Sequence, residues 1–249
     1  MKTANDTVNV KKWKENINTW LTEIHVKHKM AISVDCVVFG YTGDDLYMLL
    51  MKCNMPPFEG MYSLVGDLIH YDESLNTAAQ RILAQKAGLE NVVLDQVDVF
   101  SEVDRHPIAR VVTVAFYALV NIDGLSIKDI ENRDLVWIPL SDVKELAFDH
   151  KKIMDKAYEV LKDQLINKTV SFKLLPEKFT IKQLQSLMEI ILQIKLDKRN
   201  FRRKLNDLNI LIEHKEMQTG VNHRPAKLFS FNKSVKGTRL NIIPNYDSK

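Results

Sequence analysis

Gly66-Asp-Leu-Ile-His-Tyr-Asp-Glu-Ser-Leu-Asn-Thr-Ala-Ala-Gln-Arg-Ile-Leu-Ala-Gln-Lys-Ala-Gly-Leu89 decides how the first two thirds of this chain folds. It opens as a polar loop, turns at Glu73 into a helical pattern that runs to Lys86, and stops at Gly88, the residue type that most readily takes the left-handed cap. Glu73 falls at the helix N-terminus, where a carboxylate favours the dipole and reaches free backbone N–H groups. Arg81, eight residues on, is set to pair with Glu73 or with loop carbonyls.

Working outward, residues 30–39 and 46–52 are rich in Val, Ile and Leu, and the turn chemistry of Gly40-Tyr-Thr-Gly-Asp-Asp between them predicts a hairpin. Residues 61–65 predict a short strand before the loop. After the helix come strand patterns at 92–103, 109–120 and 135–138, with helical patterns at 140–146 and 150–165. Upstream, Val10, Trp13, Ile17, Trp20, Leu21 and Ile24 give residues 8–28 the spacing of an amphipathic helix. These elements make a mixed α+β domain arranged around one helix that follows a loop. Cys36 and Cys53 lie in apolar strand runs without CxxC or Cys/His zinc spacing, and read as core thiols of a reducing cytoplasm. No window nears the roughly 18 apolar residues of a membrane span, and the start shows no signal peptide, so a soluble cytoplasmic protein is expected. A hydrophobic fraction of 45% with 27% charged residues excludes a disordered or low-complexity chain.

A length of 249 residues suits two domains, and the charge separates them. The net +3 hides a division near residue 170: residues 171–249 hold 16 Lys and Arg against 7 Asp and Glu, while residues 1–170 hold 19 against 25. A small basic module thus follows a larger acidic one, the polarity expected of a part that meets a polyanion. Within it, Thr180 caps a helix carrying Leu184, Leu187, Met188, Ile191 and Leu192 on one face, and Asp197 caps a second helix over 198–205. Strand patterns at 208–215 and 226–232 flank the tip Gly220-Val-Asn-His-Arg-Pro. Two helices and a two-stranded ribbon spell a winged helix-turn-helix. Phe201 and Leu205 anchor the second helix, leaving Lys198, Arg199, Asn200, Arg202, Arg203 and Lys204 for a major groove, where Arg reads guanine, Asn reads adenine and the rest meet phosphates. His223, Arg224 and Lys227 are placed for a wing on the flanking backbone. A solvated basic face is the plain alternative, against which helix, wing and charge surplus agree.

The 66–89 stretch resembles the Nudix box, Gly-x5-Glu-x7-Arg-Glu-U-x-Glu-Glu-x-Gly-U with U aliphatic, and Pro56-Pro-Phe-Glu-Gly-Met-Tyr-Ser-Leu is similar to the strand that leads into it. In that register Glu73, Arg81, Gly88 and Leu89 match, Asp67 stands for the first Gly, and Ile82, Gln85 and Lys86 stand for the three acidic residues. Positions 82, 85 and 86 are spaced to share one helix face, where three carboxylates would cage Mg²⁺. An alkyl chain, an amide and an ammonium do not; the ammonium repels the ion, and without it nothing activates water or neutralises a pyrophosphate. No metal, no cofactor and no hydrolase activity are therefore expected. Lys86 is either an ordinary solvated helix lysine or a cation that takes the place of the metal and holds an anionic or polyhydroxy ligand.

Phe179-Thr-Ile-Lys-Gln-Leu-Gln-Ser-Leu-Met-Glu-Ile-Ile, Leu196-Asp-Lys-Arg-Asn-Phe-Arg-Arg-Lys and Arg224-Pro-Ala-Lys-Leu-Phe-Ser-Phe extend the resemblance to Nudix-related transcription regulators of the NrtR and AraR type. It implies an α/β/α sandwich with a mixed sheet as an effector-sensing domain (30–168), preceded by the amphipathic helix (1–29) and followed by a winged-helix domain (169–249). It also implies a homodimer on palindromic double-stranded operator DNA. A box this degraded is more similar to the sugar-responsive branch, so the expected effector is a sugar such as L-arabinose and the expected targets are carbohydrate-catabolism genes. The alternatives are an ADP-ribose-responsive regulator of NAD metabolism, a hydrolase of ADP-ribose or another nucleoside diphosphate derivative using carboxylates such as Glu102 or Asp104, and an RNA-binding module. Candidate effector contacts are Asp67, His70, Lys86, Asp104, Arg105 and Arg110. A plain surface loop equally accounts for the last three, and simple exposure accounts for His70.

Overall fold

The computed structural model describes residues 17, 29–122, 134–167, 174–220 and 224–232. Apart from Ile17, the helix expected at 8–28 lies outside them, as does His223 of the wing tip. The sheet is built on β1 (Ala31–Tyr41), which pairs in parallel along its whole length with β6 (Val111–Asn121). On its other edge β1 is shared. Its first half takes β4 (Val65–Leu68) and its second half β2 (Leu46–Lys52), both antiparallel. β2 carries β3 (Tyr62–Ser63) and β7 (Leu135–Pro139), and β5 (Leu94–Phe100) lies antiparallel outside β6.

Alternation along β1 sets the layers, since successive side chains of a strand face opposite ways. Val34, Cys36 and Val38 pack with Ala78, Ala79, Ile82 and Leu83 of the box helix, whereas Val37 and Phe39 join the cluster of Ile153, Ala157 and Leu161 on the far side. The box helix α1 (Leu75–Ile82) starts at Ser74, whose Oγ accepts from Thr77 N–H at 3.2 Å, and continues as a π turn over Leu83–Ala87. Gly88 ends it at φ 68°, as the glycine stop predicts. On the opposite face runs α2 (His150–Asn167).

Two elements differ from expectation. The run 61–65 is not one strand: β3 ends at Ser63, and the following residues, read as loop, form β4 with the register Cys36↔Val65 to Ser33↔Leu68. Gly66 and Asp67 have little strand propensity, and the free edge of β1 decides the outcome. The helix expected at 140–146 is only a 3₁₀ turn at Leu140–Asp142, because Ala147 N–H donates to Tyr62 O at 2.7 Å and ties that segment to the sheet.

The second unit contains α3 (Ile181–Leu192), opened by a capping box between Thr180 and Gln183, then α4 (Lys198–Leu208), capped by Asp197. The ribbon follows as β8 (Leu211–Met217) and β9 (Lys227–Phe231), with β9 bridged to Phe179. The core does not stop between the units. Leu184, Leu187, Ile191, Phe201 and Leu205 belong to the same cluster as Ile153, Leu161 and Leu165 of α2. Such fully buried side chains are worth roughly 1.5–3 kcal/mol each. Tyr158 of α2 adds a polar tie: its hydroxyl donates to Ile191 O at 2.7 Å, and its ring lies beside Phe39 and beneath Lys162 Nζ.

Candidate functional site: a sensor cavity and a basic helix

A cavity of about 550 Å³ opens where β1, β2, β4 and the start of α2 converge, within the size range of small-molecule sites. Its floor is a buried charge network. Arg105 is buried: Nε and Nη2 donate to the two Asp149 oxygens at 3.0 and 2.7 Å, and Nη1 donates to Thr113 Oγ1 at 2.8 Å. Thr113 in turn shares a hydrogen bond with Ser33. Asp35, also buried, has the Arg105 guanidinium Nη2 and the His150 ring Nε2 as neighbours, both at 3.8 Å, too far for hydrogen bonds. His150 Nδ1 accepts from Leu64 N–H at 3.0 Å, and burial holds its pKa below the usual histidine range, so the ring is neutral with its proton on Nε2 toward Asp35. His106 is lowered as well, by burial and then by the Arg105 charge.

One wall is aromatic. The Phe148 ring stacks on His106 at 5.2 Å and 8°, and approaches Phe58 at 4.7 Å and His150 at 5.0 Å. Phe148 holds φ 56°, a costly backbone conformation for a bulky residue that persists only where its surroundings impose it.

The opposite rim is β4 and the end of the box helix. Gly66 is required there by space: a Cβ on it would fall 2.0 Å from Asp35 Oδ1. The glycine needed for close approach is thus one residue before the box position occupied by Asp67. Lys86 Nζ donates to Gly66 O at 2.6 Å and meets Asp67 Oδ2 at 2.9 Å. Burial opposes ionisation of Asp67, but the Lys86 hydrogen bond and charge prevail and lower its pKa. Glu73 is a scaffold clamp, as expected. It accepts from Arg81 at 2.6 and 2.9 Å and from His70 N–H at 2.7 Å, and Arg81 foremost brings its carboxyl to about 2. Arg81 also donates to Leu68 O at 3.1 Å, fastening helix to strand.

The box face expected from spacing is not one face. Ile82 is wholly buried against the sheet, and the π turn separates it from Gln85, which is exposed and meets Arg81 at 3.5 Å. Mg²⁺ needs several hard oxygen donors in a near-octahedral set. An apolar residue in the core, an amide turned to an arginine and a tethered ammonium do not supply them. Among the described residues no group of three or more His, Cys, Asp or Glu could hold a metal ion.

Of the six expected effector contacts, Asp67, Lys86 and Arg105 line the cavity. The other three are outside it: the His70 side chain is 61% exposed, Asp104 is exposed, and Arg110 donates to Glu102 O at 2.9 Å. Glu102 and Asp104, the carboxylates of the hydrolase alternative, do not line it either. Sequence reasoning missed Asp35, His106, Phe148, Asp149 and His150. For Asp35 a signal existed, a lone carboxylate within an apolar strand run.

In the second unit, α4 turns Phe201 and Leu205 inward and leaves Lys198, Arg199, Asn200, Arg202 and Arg203 exposed, with Lys204 half-buried. Arg224, just before β9, and Lys227, at its start, are exposed, and Lys227 pairs with Glu213. Lys178, next to Phe179, is likewise engaged by Glu216 of β8 at 2.7 Å, so cationic surface beside the ribbon is partly neutralised. No helix among the described residues is long and apolar enough to cross a membrane.

Comparison with known proteins gives two family matches: residues 29–159 to the NUDIX domain and residues 171–231 to the NrtR DNA-binding winged helix domain. A solved structure of Shewanella oneidensis NrtR is 30% identical, with a TM-score of 0.68, covering 84% of this chain and 99% of that one. The same protein complexed with a 27mer DNA matches at 29% identity and the same TM-score, covering 84% of this chain and 98% of that one. An Acinetobacter baylyi protein described as an ADPR responsive transcriptional repressor is 28% identical over 204 residues, 80% of this chain and 81% of the relative. An ADP-ribose pyrophosphatase of Methanocaldococcus jannaschii is 27% identical over 129 residues, 51% of this chain and 75% of the relative.

Proposed function

Since the chain belongs to the NrtR family of regulators that join a NUDIX domain to a DNA-binding winged helix, we propose that its NUDIX domain senses ADP-ribose without hydrolysing it. We propose further that it acts as a cytoplasmic homodimer on a palindromic operator. The sugar effector and the carbohydrate-catabolism targets expected from the degraded box gain no support. The regulators it is similar to favour the ADP-ribose alternative. The cavity suits such a ligand: the Phe148 and His106 rings offer a stacking surface for a base, and Asp35 offers acceptor capacity to ribose hydroxyls. Lys52, Lys86 and Arg105 bring three permanent cations against the two carboxylates of Asp35 and Asp67.

One observation carries the reading. The helix α2 links the cavity floor to the DNA-reading unit: it begins beside Asp149 and holds α3 through Tyr158. A diphosphate that draws Arg105 away from Asp149 loosens the start of α2, and the shared core passes that displacement to α3 and α4. The ligand then favours one of two arrangements of the recognition helices and shifts operator affinity. Calorimetric titration of ADP-ribose and L-arabinose into the full chain tests the effector: binding of the first alone is expected, and binding of arabinose alone contradicts it.

The hydrolase reading is favoured only by the pyrophosphatase relative. Incubation with Mg²⁺ and ADP-ribose decides it, since turnover at ordinary enzymatic rates would sink the sensor-only view.

A further inference from the structure

The residues of the box helix do not fit a magnesium ion, yet a positive charge lies at the cavity rim. Lys86 is presented there by the π turn that ends the helix. Its ammonium is bound to Gly66 O at 2.6 Å and Asp67 Oδ2 at 2.9 Å, both on β4. An ammonium has three donors. Two are taken by the strand, and the third is left for the cavity that Gly66, Asp67 and Lys86 line together. The side chain is only 31% exposed, so its charge is held in one position and partly shielded from solvent. Asp67, at 45%, is the more exposed member of the pair, and its other oxygen accepts from Leu68 N–H at 2.8 Å.

We propose that Lys86 is a built-in cation that binds the diphosphate of the effector, so that recognition in this protein is independent of any metal. The proposal rests on the ADP-ribose reading above. A fixed monovalent charge stabilises a bound diphosphate but has no open coordination position at which to activate water. The same substitution that abolishes the metal cage therefore makes a stable complex possible in place of turnover. A lysine at this position is then a specificity residue for bound against hydrolysed ligand, a role distinct from a solvated helix lysine.

The test is ADP-ribose affinity of the full chain by calorimetry, in EDTA and in millimolar Mg²⁺, for the natural protein, Lys86→Arg and Lys86→Gln. The natural protein and Lys86→Arg are expected to bind within about twofold of each other and equally in both buffers. Lys86→Gln is expected to bind at least tenfold more weakly in both, with thermal melting monitored to establish that it is folded. Loss of natural-protein binding in EDTA overturns the proposal while leaving the effector reading intact. So does Lys86→Gln binding as tightly as the natural protein. If Lys86→Gln fails to fold, Lys86→Met is measured in its place, and binding as tight as that of the natural protein likewise overturns the proposal. Absence of ADP-ribose binding in either buffer overturns both the effector reading and the role of Lys86 in it.

Discussion

Replacing Arg105 by Ala probes the network on which the sensor cavity rests. The guanidinium is 3% exposed and gives two hydrogen bonds to Asp149 and one to Thr113, with Asp35 3.8 Å away. Its removal leaves two carboxylates, Asp149 at 12% exposed and Asp35 at 8%, without the cation that lies between them. Breaking a buried pair from one side costs about 3–5 kcal/mol, because a charge remains desolvated and uncompensated. For a chain of this size that corresponds to a fall in Tm of about 10 °C. The double variant Arg105→Ala with Asp149→Leu removes both charges and is expected to recover part of the loss, giving, against the two single variants, a favourable coupling of at least about 1 kcal/mol in a double-mutant cycle. Urea unfolding followed by far-UV circular dichroism measures both quantities. A loss below about 1 kcal/mol for Arg105→Ala, or strict additivity in the cycle, would refute the view that this pair is a buried structural unit.

Three other expectations follow from particular contacts. Gly66→Ala forces a Cβ to 2.0 Å from Asp35 Oδ1, so β4 or Asp35 must move; a loss of about 1–3 kcal/mol in the same unfolding assay is expected, and unchanged stability would show that the approach is loose. The pKa of His150 is lowered first of all by burial, and so is that of His106. The unfolded chain therefore takes up protons before the folded one, and stability is full above about pH 6.5 and declines as pH falls below it. Melting temperatures from pH 8 to 5 check the sign, and His150→Asn, which keeps an acceptor for Leu64 N–H, is expected to flatten the decline. Finally, Arg202→Ala with Arg203→Ala on the exposed face of α4 is expected to weaken DNA binding at least tenfold and to reduce the slope of log affinity against log salt by about one for each phosphate no longer neutralised. Calorimetric ADP-ribose binding should be unaltered, and undiminished DNA binding would refute the assignment of α4.

Elements governed by local rules were legible in the sequence. Thr180 and Asp197 cap α3 and α4, Gly88 ends the box helix with a left-handed residue, Phe201 and Leu205 anchor the basic helix, and Glu73 clasps Arg81 at the predicted spacing. The caps and the glycine stop depend on contacts within a few residues, the Glu73–Arg81 clasp spans only eight, and the anchor pair follows from helical periodicity. What was not legible depends on distant partners. β4 exists because β1 has a free edge, and the 140–146 helix is displaced by a hydrogen bond to Tyr62. The cavity followed the same division. Asp67, Lys86 and Arg105 were found through the box and its neighbouring loop, whereas Asp149 and His150 come to Arg105 and Asp35 from the start of a helix more than forty residues further on. Ile82 shows the limit of spacing itself, since a π turn breaks the periodicity that grouped it with Gln85 and Lys86.

The central claim, that occupancy of the cavity governs DNA reading, is tested most directly by fluorescence anisotropy at fixed salt. The full chain is titrated onto the duplex it selects from a random-sequence pool, with and without saturating ADP-ribose. ADP-ribose is expected to weaken operator binding by at least about fivefold, the lower end of ordinary coupling between sites, while L-arabinose does nothing. Operator affinity that is the same with and without ADP-ribose, under conditions where calorimetry shows the ligand bound, would contradict it.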